Sequence, residues 1–288
     1  MAPSSAPLRV HQIRNREELI QVLGIASELE HNLMCQYLFA AYSLKRYPWE
    51  GLTSVQLDRA RSWGALITLV ARQEMEHLGL VMNLRSAIGA GPYFKRPNFP
   101  QKPDYYGKAD IDSVLTRFSS ETIRRFQKFE QPHPAPGPHW CEMSPAEAAA
   151  YREESKRRWR TAAAIERPPI QPFDFQFDSV QSLYESIRRA FETLPDLFIG
   201  PVAAQIFGGP GSPYAGAMDD LNQYDIDLIQ VKDRDSALQG IGIILEQGEG
   251  IQAPPDYVKH THYCSFTQIL DELAHAGFDA LARWSIIR

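Results

Sequence analysis

The stretch Arg72-Gln73-Glu74-Met75-Glu76-His77-Leu78 decides how this sequence folds. Within it, Glu74 and His77 stand three residues apart, and residues with that spacing share one face of a helix. The residues flanking that face are apolar, which places it near a core: Leu66, Val70, Val81 and Leu84. Because a buried carboxylate is costly unless it is paired or bound to a metal, the stretch predicts a core helix that carries a pair of metal ligands.

A carboxylate on the preceding helix supports this interpretation, since an isolated Glu-x-x-His also arises by chance on surface helices. Glu30 lies on the apolar stripe of its helix, four residues after Ala26 and three before Leu33. Its neighbours Glu28 and His31 fall on other faces, where we expect them to be solvated or hydrogen-bonded.

Glu30, Glu74 and His77 together match half of a known ligand pattern. Carboxylate-bridged dinuclear sites in four-helix bundles take a Glu from each of two helices and a Glu-x-x-His pair from each of the other two. The alternative is structural, with Glu30 in an ordinary interhelical salt bridge to Arg72 or Arg59.

Apolar residues recur at three- and four-residue steps over five long segments, which is typical of amphipathic helices. The predicted bundle helices span about residues 16–46, 53–89, 179–194 and 235–249, and a further helix spans 260–284. An insert rich in proline and aromatic residues, 92–178, separates the second and third bundle helices and contains short helices predicted at 120–129 and 145–164. The predicted fold is all-α: a four-helix bundle in one domain, 1–288, with a long ordered insert and an extra C-terminal helix.

The composition of the chain bears on its cellular compartment and on whether it binds nucleic acid or a membrane. The 288 residues carry a formal net charge of −5 and a pI near 5.9, which disfavours nucleic acid because binding its phosphates needs clustered Lys and Arg. No apolar stretch approaches the roughly 20 residues that span a bilayer, and the N-terminus lacks the apolar segment of a signal peptide. The cysteines lie far apart, which argues against a disulfide framework and fits a reducing compartment: Cys35, Cys141 and Cys264. We therefore expect a cytoplasmic protein that contacts no membrane.

The second half of the ligand pattern is less regular. On the third bundle helix Glu185 lies near the apolar face, and Glu192, two turns later, is the alternative. The fourth bundle helix ends in Leu245-Glu246-Gln247-Gly248-Glu249-Gly250, where no His follows either Glu at a spacing of three. His262, at the head of the fifth helix, can complete the set with one of these glutamates. The alternatives are that Glu249 is a turn residue between two glycines and that His262 is a surface histidine.

Short motifs carry a resemblance to a known family, and they run in order over most of the chain. They are Ile25-Ala-Ser-Glu-Leu-Glu-His31, Gln36-Tyr-Leu-Phe-Ala-Ala-Tyr42, Gln73-Glu-Met-Glu-His-Leu78, Asn83-Leu-Arg-Ser-Ala-Ile-Gly89, Phe126-Gln-Lys-Phe-Glu-Gln-Pro132, Val180-Gln-Ser-Leu-Tyr184, Gln247-Gly-Glu-Gly250 and His262-Tyr-Cys-Ser-Phe-Thr-Gln-Ile269. Together these motifs resemble the ferritin-like domain of iminophenyl-pyruvate dimer synthases of the violacein type.

The resemblance implies a helical bundle with a non-haem metal site, in a setting of bacterial secondary metabolism. At the matching positions it supports five ligands and favours Glu249 over Glu246: Glu30, Glu74, His77, Glu249 and His262. It supports Glu185 less, because Ser182 is another position where such proteins place a Glu. Those synthases are larger multidomain chains, so the resemblance does not transfer the dimerisation of an imino acid to this chain.

The expected function is that of an O2-dependent oxidase or oxygenase with two iron ions, or manganese in their place, because a carboxylate-rich ligand set suits these metals better than zinc. The aromatic-rich insert fits a small substrate, aromatic or derived from an amino acid, with packing of the insert itself as the alternative role of these aromatic residues. Tyr37 and Tyr184 are candidate hydrogen-bond partners of the ligands or radical carriers, with plain core packing as the alternative. Bundles of this kind commonly pair, so a homodimer is compatible with the sequence. The alternative functions are iron handling of the ferroxidase type and a non-catalytic helical scaffold for a pathway enzyme.

Overall fold

The computed structural model describes residues 10–96, 98–101, 112–132, 140–161, 164–165, 177, 179–206, 228–248, 260–275 and 287. Within these ranges the chain forms seven α-helices. They are α1 (Arg16–Tyr42), α2 (Ser54–Ala87), α3 (Ser120–Phe129), α4 (Pro145–Thr161), α5 (Val180–Thr193), α6 (Arg234–Gln247) and α7 (His262–His275). The predicted all-α class is therefore confirmed, and the short helices expected in the insert are α3 and α4.

Local sequence signals explain where the two longest helices begin and end. At the start of α1, Asn15 Oδ1 accepts a hydrogen bond from the Glu18 backbone N–H at 2.8 Å, as the N-cap pattern requires. Beyond α2, Gly89 adopts a left-handed φ of 76°, a conformation that favours glycine. The Gly89 N–H then bonds the Ser86 carbonyl and the Ala90 N–H bonds the Arg85 carbonyl, which is the Schellman arrangement.

Helices α1 and α2 form an antiparallel hairpin that is closed into a bundle by α5 and α6. The Arg85 side chain, near the end of α2, donates from Nη1 to the Ile20 carbonyl near the start of α1 at 2.6 Å. Helix α5 packs on α1 and on α6, and α6 packs on α2, so the four helices surround one core. The predicted four-helix bundle is present.

A second helix pair, α3 and α7, flanks this bundle. Gln127 on α3 donates from Nε2 to the Thr267 hydroxyl on α7 at 2.7 Å, and the rings of Phe126 and Phe266 lie 5.4 Å apart. Helix α7 also packs on α2. Helix α3 of the insert therefore pairs with α7, the last described helix.

The cysteine spacing argues against a disulfide framework, but one disulfide bond forms. Cys141 and Cys264 are bonded, with their Cα atoms 5.5 Å apart across 123 residues of sequence. A short helical turn, Trp140–Glu142, packs against α7 and brings the two sulfur atoms together. The spacing of the cysteines in the sequence does not indicate this contact, because it depends on tertiary packing. Cys35 is a free thiol.

Several smaller features complete the architecture. Val10–His11 and Ala164–Ile165 form a parallel pair of two-residue strands. Helix α1, predicted to reach about residue 46, ends at Tyr42 because the chain turns at Ser43, whose hydroxyl bonds the Ala40 carbonyl at 2.7 Å. Residues 276–284, at the predicted end of the last helix, lie outside the described ranges. None of the described helices is both long enough and apolar enough to cross a membrane.

Candidate metal centre

Two groups of potential metal ligands meet in the core and share Glu74. One group contains Glu30, Glu74 and His77, the other contains Glu74, Glu130 and His262, and within each group the three ligand atoms lie within 4.8 Å of one another. All five residues are no more than 2% exposed. We call these groups the His77 half-site and the His262 half-site.

The two oxygens of Glu74 face different histidines. Glu74 Oε2 lies 3.6 Å from His77 Nδ1, whereas Glu74 Oε1 lies 2.9 Å from His262 Nδ1. Each histidine also faces a second carboxylate: His77 Nδ1 lies 3.7 Å from Glu30 Oε2, and His262 Nδ1 lies 3.5 Å from Glu130 Oε2. Glu74 thus stands between the half-sites in the position of a bridging ligand.

The half-sites draw their ligands from different parts of the fold. The His77 half-site comes from the α1–α2 hairpin alone, where the i, i+3 spacing on α2 points Glu74 and His77 to the same place. The His262 half-site also needs the flanking pair, because Glu130 is the C-cap of α3 and His262 is the first residue of α7.

The far nitrogen of each imidazole contacts a glutamine. His77 Nε2 lies 2.9 Å from Gln247 Oε1, at the end of α6, and His262 Nε2 lies 3.2 Å from Gln73 Oε1, on α2. An amide oxygen only accepts hydrogen bonds, so in both neutral rings Nε2 carries the proton and Nδ1 presents its lone pair to the carboxylates. The rings themselves stack, with their centroids 5.4 Å apart.

Two buried tyrosines hold the two carboxylates that are not shared. Tyr184 on α5 donates its hydroxyl hydrogen bond to Glu30 Oε1, and Tyr37 on α1 donates to Glu130 Oε1. Burial, followed by the charge of the bonded carboxylate, raises the pKa of both phenols well above the usual range. Both hydroxyls therefore stay protonated and remain donors at neutral pH.

Without a metal ion, the centre holds protons that the free residues would have lost. Burial and the neighbouring charge of Glu74 raise the pKa of Glu30 to about 8. Burial also opposes ionisation of Glu74, but the charge of His262 outweighs it together with the polar contacts to Glu30 and His77, so the pKa of Glu74 lies well below its usual range. Burial lowers and the carboxylates raise the pKa values of both histidines, with a net rise to about 9 for His262 and well above the usual range for His77.

An observation that does not depend on the pKa values indicates that these residues can hold a pair of metal ions. Although Glu74 Oε1 and His262 Nδ1 lie 2.9 Å apart, their geometry is not that of a hydrogen bond, and neither atom has another hydrogen-bond partner among the residues that the structure describes. Buried polar atoms without partners are costly, and a metal ion between them would satisfy both. Three carboxylates and two imidazoles are the donor set of hard, redox-active iron or manganese rather than of zinc, which prefers closed tetrahedral sites.

A small cavity adjoins the ligands. It measures about 10 Å³, room for about one water molecule. Besides ligand atoms and Tyr184, its walls are mostly apolar: Leu33, Val180, Gln181, Ile244, Leu245 and Gly248. The described part of the core therefore admits a water- or O2-sized molecule beside the ligands.

The structure brings Glu30, Glu74, His77 and His262 together, but it places the other predicted ligands differently. Glu185 is buried, and its Oε2 pairs with Arg188 Nε at 2.7 Å. Its alternative, Glu192, lies 4.0 Å from the same arginine. Neither belongs to a half-site among the described residues.

The remaining predicted positions are also accounted for. Glu246, near the end of α6, is half-buried and lies in neither half-site of the described region. Ser182 closes the capping box of α5 with Ser179. Glu249 lies outside the described residues, so its role as a ligand stays a prediction. The salt-bridge alternative for Glu30 named Arg72 or Arg59, and Arg59 pairs with Glu272 at 3.0 Å.

Sequence reasoning missed Glu130, although a signal for it was present. Helix α3 buries Ile123 and Phe126 on one face, and Glu130 follows these residues by seven and four positions. It therefore continues the apolar stripe, as Glu30 does on α1. Glu130 lies outside the predicted bundle helices, which are the helices from which a four-helix-bundle ligand pattern draws its carboxylates.

Comparison with known proteins shows which family and which solved structures the chain resembles. A family model described as ferritin-like matches residues 23–271. A crystal structure of a ferritin-like protein from Caulobacter vibrioides aligns with a TM-score of 0.53 at 20% identity, covering 91% of this chain and 73% of that one. At that identity, the structural match supports the fold alone.

Two curated relatives are enzymes. The chain is 29% identical over 282 residues to the 2-imino-3-(indol-3-yl)propanoate dimerase of Chromobacterium violaceum, covering 91% of this chain and 23% of the relative. It is 26% identical over 296 residues to the dichlorochromopyrrolate synthase of Lentzea aerocolonigenes, covering 95% and 27%. The chain thus spans about a quarter of the length of each of these relatives.

Proposed function

Because this chain belongs to the ferritin-like family, we propose that its buried centre binds two iron ions, with manganese as the alternative metal, and that the protein is an O2-dependent oxidase or oxygenase. The proposed substrate is a small metabolite, aromatic or derived from an amino acid. The proposed setting is secondary metabolism.

The position of Glu74 carries the proposal. Its two oxygens face His77 and His262 separately, so one carboxylate serves two half-sites, and each half-site has its own histidine and its own further glutamate. A mononuclear site would not need this duplication. These residues would suit a carboxylate-bridged pair of ions, which ferritin-like bundles are known to build.

When bound, two such ions would supply redox chemistry with O2. The protein's own residues would provide the surroundings for that chemistry. The Tyr184 and Tyr37 hydroxyls hold Glu30 and Glu130 at fixed orientations. The apolar walls of the adjoining cavity exclude bulk water from the ligands, and its small volume suits a diatomic reactant.

The substrate class is proposed from the relatives. One is a dimerase of an indole-bearing imino acid by its name, and the other is a synthase of a chlorinated chromopyrrolate. Both names describe aromatic metabolites. Since this chain spans only about a quarter of each relative, we propose the class of substrate and not the reaction of either enzyme.

Metal content tests the first part of the proposal. Protein purified from cells supplied with iron and manganese should contain two of these ions per chain by elemental analysis, and Glu74→Gln should lose both because both half-sites share this residue. Glu185→Gln is the matched control: it also removes a buried glutamate charge, but at a residue that pairs with Arg188. Wild-type protein without stoichiometric metal would overturn the proposal.

Oxygen consumption tests the second part. Iron-loaded protein is mixed with aromatic amino acids, or with the 2-imino acids that form from aromatic 2-oxo acids and ammonia, and O2 uptake is followed with an electrode. Uptake that depends on one of these compounds supports an oxidase or oxygenase. Uptake that depends only on added iron(II) would replace the proposed function with iron handling of the ferroxidase type.

A further inference from the structure

We propose that Gln73 and Gln247 are positioning residues that select the metal-binding nitrogen of the two histidines and keep both imidazoles weak, neutral ligands. The inference rests on the proposed function only in requiring that the centre binds metal ions. It assigns a role to two residues that are not ligands themselves, and it concerns how the ions are held and tuned.

The direction of the two hydrogen bonds selects the nitrogen that binds the metal. A neutral imidazole has one protonated nitrogen and one lone pair. The Gln247 oxygen faces His77 Nε2 at 2.9 Å, and the Gln73 oxygen faces His262 Nε2 at 3.2 Å. Since each oxygen accepts a hydrogen bond from the protonated Nε2, the Nδ1 lone pair is left for the metal, on the side where the glutamates stand.

Both glutamine–histidine contacts cross between helices. His77 is carried by α2 and oriented by Gln247 from α6, whereas His262 is carried by α7 and oriented by Gln73 from α2. Gln73 also immediately precedes Glu74, so one turn of α2 fixes both the bridging carboxylate and the ring of the opposite half-site. Gln247 thereby joins the His77 half-site to α6, which supplies that half-site with no ligand. Gln73 joins the His262 half-site to α2, which supplies that half-site only with the shared Glu74.

An amide partner affects a metal-bound imidazole differently from a carboxylate partner. Metal-bound histidines commonly donate their second N–H to a carboxylate, which makes the ring a stronger donor, and losing such a partner weakens metal binding about 10–100-fold. A glutamine oxygen orients the ring in the same way without adding negative charge. The bound ions would therefore keep more positive charge than carboxylate partners would allow, which favours their reduced state.

Cobalt(II) titration, followed by optical absorption of the protein, tests the inference one half-site at a time. Gln247→Leu should weaken one of two Co(II) binding steps about 10–100-fold and leave the other unchanged, and Gln73→Leu should weaken the other step. Gln247→Glu and Gln73→Glu should restore binding to at least the wild-type affinity, because a carboxylate orients the ring and strengthens it. A merely structural role would weaken binding in the Glu and Leu variants alike.

A third glutamine provides the control. Gln36 is buried on α1 and bonds the Asn32 side chain and the Val114 backbone, away from both half-sites. Gln36→Leu should leave both Co(II) steps at wild-type affinity. Thermal unfolding of each metal-free variant shows whether it is folded before titration.

The two possible failures are distinguishable. If wild-type protein binds no Co(II), the proposed metal function fails and the role of the glutamines fails with it. If wild-type protein binds two ions and the Leu variants bind them equally well, the metal function stands and the positioning role is overturned. Glu variants that bind as weakly as the Leu variants would also overturn it.

Discussion

Raising the pH from 6.5 to 8 should destabilise the metal-free protein, because its folded centre retains protons that the unfolded chain releases. In the folded protein the pKa of Glu30 is raised from its ordinary 4.5 to about 8, so Glu30 is largely protonated below that pH. The pKa of His262 is raised from 6.5 to about 9, so His262 is largely charged below that pH. In this window both groups bind a proton in the folded state and have lost it, or are losing it, in the unfolded state.

The sign and size follow from proton linkage. For each proton bound only by the folded state, the unfolding free energy falls by about 1.4 kcal/mol for every unit by which the pH rises. The contribution of Glu30 declines between pH 4.5 and about 8, and that of His262 is complete below pH 6.5 and lost by about pH 9. Over the shared 1.5 units the two groups together cost about 4 kcal/mol. His77 adds to the same trend, whereas Glu74 is ionised in both states throughout and adds no slope.

Urea unfolding at pH 6.5 and 8, with a chelator present, measures this loss directly. Glu30→Gln removes one of the titrating protons, so its loss should be about 2 kcal/mol smaller than that of wild type. Glu121→Gln, on the exposed first turn of α3, is the control and should behave as wild type. Saturating Mn(II) should abolish most of the slope, since bound ions replace the protons. A metal-free protein equally stable at both pH values, or a Glu30→Gln variant with the full wild-type loss, would refute the reasoning.

The remaining predictions address single parts of the centre. Glu130→Gln should reduce the metal content from two ions per chain to one by elemental analysis, because it disables only the His262 half-site; unchanged content would remove Glu130 from the ligands. Tyr184→Phe should weaken one Co(II) binding step about tenfold, at the low end of losses for residues that orient a ligand, and equal weakening of both steps would contradict its assignment to Glu30. Cys141→Ser with Cys264→Ser should lower the unfolding free energy in urea by about 2–5 kcal/mol. Cys35→Ser, at the free thiol, is its control, and a double variant as stable as wild type would show that the disulfide does not support the fold.

The sequence allowed the bundle and one half-site to be predicted because both depend on local spacing. The i, i+3 pair on α2 and the apolar stripe around Glu30 are properties of single helices, visible as periodicity. Their meeting then required only that consecutive long helices pair as a hairpin, which α1 and α2 do. Tyr37 and Tyr184 were found in the same way, since both lie on buried helix faces.

The other half-site depends on contacts between segments far apart in sequence. Glu130 and His262 meet only because α3 packs on α7, and neither helix belongs to the four that form the bundle. The disulfide that joins Cys264 on α7 to Cys141 is another product of this packing. Periodicity shows which face of a helix is buried but not which other helix covers it, so the expected ligand Glu185 and the observed ligand candidate Glu130 could not be ranked by spacing alone.

Glu130 nevertheless satisfies the same physical criterion as Glu30, and this similarity explains the error. Each is a carboxylate on an otherwise apolar helix face, and each ends up almost fully buried beside a tyrosine hydroxyl and a histidine. Glu185 satisfies the criterion too, but Arg188, one turn later on the same helix, neutralises it locally. A glutamate on an apolar stripe with no Lys or Arg three or four residues away is therefore the stronger ligand candidate, since its charge has to be balanced from outside its own helix. No basic residue precedes or follows Glu30 at these spacings, and the same is true of Glu130 on its helix.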